Sequence, residues 1–434
     1  MHASLQAPPA AIPRPAAPVT SVSPDNAPSP RLPGVHFAAA LAFFLAGALG
    51  LVLVADELAT GSFFVPRIVA VVHLFVLGWI ILSIFGALCQ FLPVAVGQRL
   101  RWEPLAYAGC AAHVGGIVCF VSALVGGNRG LLYVGAALLS FSFVSFAINL
   151  AATLLRASER PLTWWTLAGT AIFLVITPAY GVALAMNLHG DAAIAERFAT
   201  VAAHAHAGII GIVFLVMVGV AHRLLPMFLL SHGASERPAW ISLALLFAGA
   251  LVLSAPWGGG PKLAVAFALI AMGAIAFLVQ GFLFFKHRMR KAIDPGMRLA
   301  AAGLIGIAIA LLIAPFALGR GVANLQLLVG YFVALLGAIS LFVAGHYYKI
   351  VPFIVWYHRF GPLVGIQKVP KVAELYSEKL ALLNGALLVA GWLGLVGSAF
   401  AGFAPGLRGA AVFFVAGALM EIAMITAIAR RKPA

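Results

Sequence analysis

The chain has 434 residues, of which 63% are hydrophobic and only 9% are charged, and its formal net charge is +15. Its mean hydropathy of +1.07 lies far outside the range of soluble proteins, so the composition excludes a soluble globular domain. The basic residues are spread over many short loops and both tails. This distribution argues against nucleic acid as a partner and indicates a membrane protein in contact with lipid.

The first part of the chain differs from the rest in composition. Nine prolines fall within residues 1–34, where they prevent a helix and leave little apolar surface to bury. We therefore expect a disordered, proline-rich cytoplasmic tail. Because the segment lacks a basic start followed by an apolar core, it is not a cleavable signal, and the first membrane helix is expected to direct insertion.

Twelve hydrophobic runs follow, each about 20 residues long, which is enough to cross a bilayer as a helix. They lie near residues 35–54, 66–93, 104–126, 130–155, 162–187, 199–230, 239–256, 261–285, 298–317, 322–357, 379–400 and 407–429. The predicted fold class is an all-α integral membrane bundle of twelve helices. Loops after even-numbered runs hold most of the Lys and Arg, so the positive-inside rule predicts a multi-pass protein of the cell inner membrane with both termini cytoplasmic.

The second, sixth and tenth runs share one sequence register. In each of them a glycine and a proline follow a common starting position by five and twenty residues. The three sets are His73, Gly78 and Pro93; His206, Gly211 and Pro226; and Phe332, Gly337 and Pro352. Such a recurrence indicates triplication of a four-helix unit, and predicts that a domain of residues 35–430 divides into repeats at roughly 35–155, 162–285 and 298–429.

Three histidines fall at one predicted depth in these runs. His73 lies below the outer end of the second run, and His204 and His206 lie equally deep in the sixth. A histidine in hydrocarbon is costly without a partner, so we interpret the three as a layer of metal ligands. Two residues on a helix turn through about 200°, so His204 and His206 cannot share one metal but can serve sites on opposite sides of their helix.

Haem is the cofactor that these histidines favour, because imidazole is its usual axial ligand. The residues around His206 are alanines and glycines, which leave room for a flat macrocycle. We expect one or two haems of the b type. Arg67 and Arg197 precede the histidine layer by six or seven residues, and either haem propionates or lipid head groups could be their partners.

The sequence also resembles the haem-copper oxidase superfamily, in particular the catalytic subunit of cbb-type cytochrome oxidases and nitric oxide reductases, and is similar to the NnrS family of haem-containing membrane proteins linked to nitric oxide stress. In those oxidases a His-x-His helix has a glycine five residues and a proline twenty residues after its second histidine, as residues 204–226 do here. The specific motifs cover only some 45 residues, although the twelve-helix arrangement extends over about 35–430.

The resemblance implies a role for each histidine. His206 would ligate a low-spin haem that also binds His73, and His204 would ligate a second, five-coordinate haem. Phe332 stands at the third equivalent position and cannot ligate a metal. The second haem would therefore keep an open face for a diatomic gas such as NO, CO or O₂.

The sequence departs from the superfamily in ways that bear on activity. The His-x-His helix is the sixth predicted helix of this chain, whereas in the oxidases it is the tenth. No adjacent His-His pair exists for the oxidase copper, so the resemblance does not carry copper over, and whether a second metal binds stays open. The membrane runs contain almost no carboxylates, Glu421 being the exception. We therefore do not expect full oxygen reductase or NO reductase activity. Haem-dependent oxidoreductase chemistry, respiratory electron transfer with quinol or a donor protein, and NO or O₂ handling remain open.

Two other functions fit the same sequence. One is a transporter or metal-handling protein, in which His113, Cys110 and Asn149 would mark a path and Pro178 and Pro315 would break helices. Cys110 and His113 are one helical turn apart, so His113 is also a weak candidate metal ligand. The other is a cofactor-free assembly subunit that retained an oxidase fold.

Overall fold

The computed structural model describes residues 29–255 and 260–433. Within those ranges the chain forms helices and no β-sheet, which confirms the predicted fold class. Twelve helices, α1 to α12, are long and apolar enough to cross a membrane. They are Arg31–Leu53, Pro66–Pro93, Glu103–Gly126, Arg129–Leu154, Leu162–Leu188, Arg197–Leu229, Arg237–Ser254, Pro261–Lys286, Pro295–Arg320, Leu325–Arg359, Glu378–Ala401 and Ala404–Arg430. Short helices at Ala55–Ala59, Gly321–Asn324, Gly361–Leu363 and Val372–Leu375 lie in the connections.

Local sequence signals set several of these helix ends. The side chains of Asn128, Asp294 and Ser377 each accept a hydrogen bond from a backbone N–H in the first turn of the following helix, as capping residues do. At the other end of α3, Gly127 has a φ of 68°, which favours glycine and stops the helix. These ends agree with the predicted runs to within a few residues.

The first helix begins earlier than predicted. Residues 1–34 were expected to be a tail, but α1 begins at Arg31, and Leu32 is already buried. Pro33 does not prevent this start, because a proline in the first turn of a helix removes no intrahelical hydrogen bond. The rest of the predicted tail, residues 1–28, lies outside the described residues.

The three helices that share the sequence register are also the three innermost helices. Buried residues make up 72%, 78% and 72% of the apolar windows of α2, α6 and α10, against 33–44% for the other nine helices. A methyl group added at Gly78, Gly211 or Gly337 would lie closer than 3.0 Å to an aromatic side chain of a neighbouring helix. The recurring glycine is therefore a position of close helix packing in all three.

The outer helices surround these three. In each predicted four-helix unit the last two helices pack against each other, α3 with α4, α7 with α8, and α11 with α12. Large apolar side chains on the outside stay exposed, including Leu312 at 73% and Phe282 at 64%. In a bilayer these side chains contact lipid, where their exposure carries no penalty.

Two of the inner helices are not α-helical throughout. A π-helical segment, Leu74–Ile81, follows His73 in α2, and another, Ala207–Phe214, follows His206 in α6. In α10 the corresponding residues from Phe332 onward are α-helical. Single π-helical turns inside α-helices occur frequently at functional sites. Here the two helices with a histidine at the common position have the segment, and the helix with a phenylalanine does not.

Candidate functional site

A cavity of about 510 Å³ lies among the inner helices and opens toward the predicted outer face. Its wall includes all three histidines of the predicted layer, His73, His204 and His206. Among the described residues of the wall, the other polar side chains are those of Ser140, Thr177 and Arg197. A largely apolar cavity of this size with a few polar groups is typical of a cofactor or small-molecule site.

Two of the histidines face each other across this site. The ring centres of His73 and His204 are 6.2 Å apart and their planes differ by 24°. The resemblance implied His206 as the partner of His73, whereas the ring that stacks on His73 in this structure is that of His204. α5 decides the orientation, because His204 bonds the carbonyl of Thr177 and lies against Gly181, where the missing side chain leaves room for its ring.

Each of the paired rings is held through the same nitrogen. Nδ1 of His73 bonds the carbonyl oxygen of Val69 at 2.7 Å, and Nδ1 of His204 bonds that of Thr177 at 3.1 Å. A carbonyl only accepts, so Nδ1 carries the proton and Nε2 keeps its lone pair in the neutral ring. In metal-binding histidines the same kind of bond fixes the tautomer and the ring orientation. Both rings are therefore set up to ligate through Nε2.

His206 lies on the other side of α6, as the spacing of two residues predicted. Its Nδ1 bonds the carbonyl oxygen of Ala202 at 2.8 Å, and its Nε2 is buried without a hydrogen-bond partner in the described parts of the chain. The ring centres of Phe267 and Phe332 lie 5.3 Å and 6.4 Å away. Phe332 was expected opposite His204, but it lies beside His206.

The region between α10, α12, α1 and α2 is packed differently. Phe44 stacks on Trp79 with ring centres 4.3 Å apart and meets Phe414 edge-on at 5.5 Å. Trp79 also stacks on Tyr347. Aromatic packing fills this space, whereas the regions on the two sides of α6 each present a histidine to the cavity.

The two candidate arginines differ in position. Arg197, at the start of α6, lines the mouth of the cavity and is exposed. Arg67 forms an ion pair of 2.7 Å with Glu57 and is not part of the cavity wall. Arg67 thus has a protein partner in addition to the two partners considered from the sequence, haem propionates and lipid head groups. Glu57 precedes Arg67 by ten residues and lies in a different helix, so no pattern in the sequence indicated this pair.

His113, the weak candidate ligand, has both ring nitrogens occupied. Nε2 donates to the carbonyl oxygen of Leu77 at 3.1 Å, and Nδ1 accepts from the hydroxyl of Ser142 at 3.0 Å. With Nε2 donating and Nδ1 accepting, His113 has no free lone pair in this structure for a metal shared with Cys110. Leu77 lies in the π-helical segment of α2, and His113 fixes α3 against that segment. No feature of the sequence pointed to this carbonyl as its partner.

The features that favoured a transporter also have structural roles. Asn149 bonds the backbone of Trp102 twice, accepting from its N–H at 3.0 Å and donating to its carbonyl at 2.8 Å. Pro178 and Pro315 lie within the continuous helices α5 and α9. Neither proline breaks its helix in the structure.

Other residues of the site had no signal in the sequence. Val69 and Thr177 contribute backbone carbonyls, and Phe120 lies 4.9 Å from the ring of His73. In residues 29–255 and 260–433, no group of three or more His, Cys, Asp or Glu side chains could hold a metal ion.

Comparison with models of known protein families gave no match, and comparison with curated proteins gave no significant match.

Proposed function

We propose that this integral membrane protein binds a haem whose iron is ligated by His73 and His204. The ring geometry carries the proposal. Metal–imidazole bonds of about 2.0 Å put two nitrogens on opposite sides of one iron about 4 Å apart. Each nitrogen lies about 1.13 Å from its ring centre, if the ring bonds have the length of about 1.33 Å of a partial double C–N bond. If both nitrogens point along the line between the rings, the ring centres would be about 6.3 Å apart, and the separation of the His73 and His204 ring centres is 6.2 Å.

The donor set fits a haem better than a bare metal ion. A structural zinc site takes about four protein ligands, and the two imidazoles have no third titratable partner within the described ranges. A porphyrin supplies four nitrogens itself and needs only the two axial positions. It also needs an apolar slot, which the wall of the cavity provides.

Each neighbouring group has a definite task in this proposal. The carbonyls of Val69 and Thr177 hold the two imidazoles in the tautomer that ligates through Nε2. The apolar wall keeps water away from them. Arg197 at the mouth offers a guanidinium to an anionic group such as a haem propionate.

A haem held by His73 and His204 would supply reversible one-electron chemistry. We therefore propose respiratory electron transfer, with quinol or a donor protein as the partner. The resemblance to the haem-copper oxidase superfamily supports a haem scaffold. NO or O₂ handling rests on His206, whose buried Nε2 has no partner in the described chain and would ligate a second haem beside Phe332.

Absorption and electron paramagnetic resonance spectra of the purified protein test the pairing. We expect a pyridine haemochrome of b type, and low-spin signals of two axial imidazoles that disappear in His73→Ala and in His204→Ala. His206→Ala should keep those signals, as should the matched control His222→Ala at the inner end of α6. Loss of the signals in His206→Ala with retention in His204→Ala would show that His206, not His204, is the partner of His73. Correctly folded wild type that takes up no haem from a haem-replete host would refute the proposal.

A further inference from the structure

A second cavity, of about 400 Å³, lies at the loop between α2 and α3, on the face that the sequence predicts to be cytoplasmic. Three arginines, Arg99, Arg101 and Arg156, line it together with Glu103. Three positive charges and one negative charge thus surround a space large enough for a polar group. This cavity is separate from the histidine site, and nothing argued about it depends on haem.

The loop that carries these charges is held in place by buried polar side chains of α4. The Asn149 amide makes its two hydrogen bonds to the backbone of Trp102, and the Thr153 hydroxyl accepts from the N–H of Arg101 at 3.0 Å. Asn149 is 1% exposed and Thr153 is fully buried. A loop fixed in this way loses little conformational entropy when a ligand binds, so the site is preorganised.

The residues next to the lining arginines are apolar and exposed. Trp102, between Arg101 and Glu103, is 41% exposed, and Leu155, directly before Arg156, is 79% exposed. Tryptophans of membrane proteins concentrate at the interface between hydrocarbon and water. We therefore expect the arginines to lie at the level of lipid head groups.

The arginines can take an anion. Arg101 and Arg156 form no ion pair with an acidic residue in the described part of the chain, and Arg101 stacks on Trp102 with its guanidinium 5.5 Å from the ring. Glu103 is in the first turn of α3, where the helix dipole favours its negative charge. Guanidinium groups match the oxygens of a phosphate, which they bind through paired hydrogen bonds.

We propose that this cavity binds the phosphate of an anionic phospholipid head group. Basic pockets between membrane helices at the cytoplasmic side suit such head groups. The exposed side chains of Leu155 and Trp102 beside the arginines favour a lipid over a free phosphate ion, because a lipid places its acyl chains along the same apolar surface.

Native mass spectrometry of the detergent-purified full chain tests the proposal, with phosphatidylglycerol, phosphatidylcholine and inorganic phosphate titrated separately. We expect tight binding of phosphatidylglycerol and much weaker binding of the other two. Replacing Arg101 and Arg156 by Gln should weaken phosphatidylglycerol binding about 30-fold, and each single substitution about fivefold, the size expected for basic residues at a membrane surface.

The control variant also removes two positive charges from the face that is predicted to be cytoplasmic, but at a different site. Lys286→Gln/Lys291→Gln changes two exposed lysines, one at the end of α8 and one in the loop that follows it, and should leave phosphatidylglycerol binding within twofold of wild type. If both double variants lost phosphatidylglycerol affinity equally, the proposal would be overturned, because the loss would then reflect net charge alone. Tight binding of inorganic phosphate without a preference for phosphatidylglycerol, or unchanged lipid binding in the arginine variant, would also overturn it. A retained melting temperature in detergent shows that each variant is folded.

Discussion

The close approach of Gly181 to His204 allows a quantitative test of the candidate haem site. In Gly181→Ala, the new methyl carbon would lie 3.2 Å from Cε1 of His204, so the ring must shift by a few tenths of an ångström. The Nδ1 bond to Thr177 is already 3.1 Å long, and N–H···O bonds weaken beyond about 3.2 Å. The substitution should therefore break or strain the bond that orients the imidazole.

The expected effects on haem affinity and on stability have opposite signs. Removing an outer partner of a metal-binding histidine typically costs 10- to 100-fold in affinity, so we expect Gly181→Ala to bind haem at least about tenfold more weakly. The helix itself should gain, because alanine is about 1 kcal/mol better than glycine inside a helix. Haem affinity is measured by transfer to an excess of a haem-scavenging apoprotein, and stability by thermal melting of the haem-free form.

Gly208→Ala is the matched control. Its added methyl carbon would meet only Cγ2 of Thr177, at 3.4 Å, which is an ordinary van der Waals contact. Gly208 lies in the same cavity wall, but the added methyl group does not contact the ring of His204, so haem affinity should stay near that of wild type. If both variants lost affinity equally, or if Gly181→Ala kept it within twofold with unchanged low-spin signals, the reasoning about ligand orientation would be refuted.

Three further predictions concern the scaffold. Gly211→Ala should lower stability in a detergent-unfolding assay by about 1–3 kcal/mol, because its methyl group would overlap the ring of Phe173, and Phe173→Ala in the same chain should recover part of the loss. His113→Leu should destabilise by a similar amount, through the lost bonds to Leu77 and Ser142, with haem spectra unchanged; a spectral change would contradict its structural role. Glu421 is fully buried and forms no ion pair in the described chain, so it should be neutral. Glu421→Gln should therefore keep the expression level and melting temperature, and its infrared spectrum should lose a protonated carboxyl band.

Much of the fold could be predicted from the sequence because the bilayer imposes simple demands. A chain segment that crosses hydrocarbon must pair its own backbone N–H and C=O groups, which it does by forming a helix. The length and apolarity of each hydrophobic run therefore suffice to locate the helix. The register shared by Gly78, Gly211 and Gly337 predicted three related helices, and these are the innermost ones. The common depth of His73, His204 and His206 followed from counting residues from the helix ends, and all three line one cavity.

The contacts of charged and polar side chains could not be predicted in this way. Arg67 pairs with Glu57, and His113 bonds a carbonyl in a π-helical segment. Both partners come from other helices or from a local change of helix type, neither of which has a recognisable pattern in a run of apolar residues. The proline content of residues 1–34 predicts a later start for α1 than Arg31, because prolines disfavour helix in general, whereas Pro33 lies in the first turn, where it removes no intrahelical hydrogen bond.

The sequence by itself determined that His204 and His206 leave α6 on opposite sides, since the helical repeat turns two residues through about 200°. Only the tertiary structure decided which of them meets His73. The middle of α6, Ala207–Phe214, is apolar on every side, so no face of this segment is marked for one neighbour. Its rotation about its own axis is set by close packing, with Gly211 against Phe173 and His204 against Gly181.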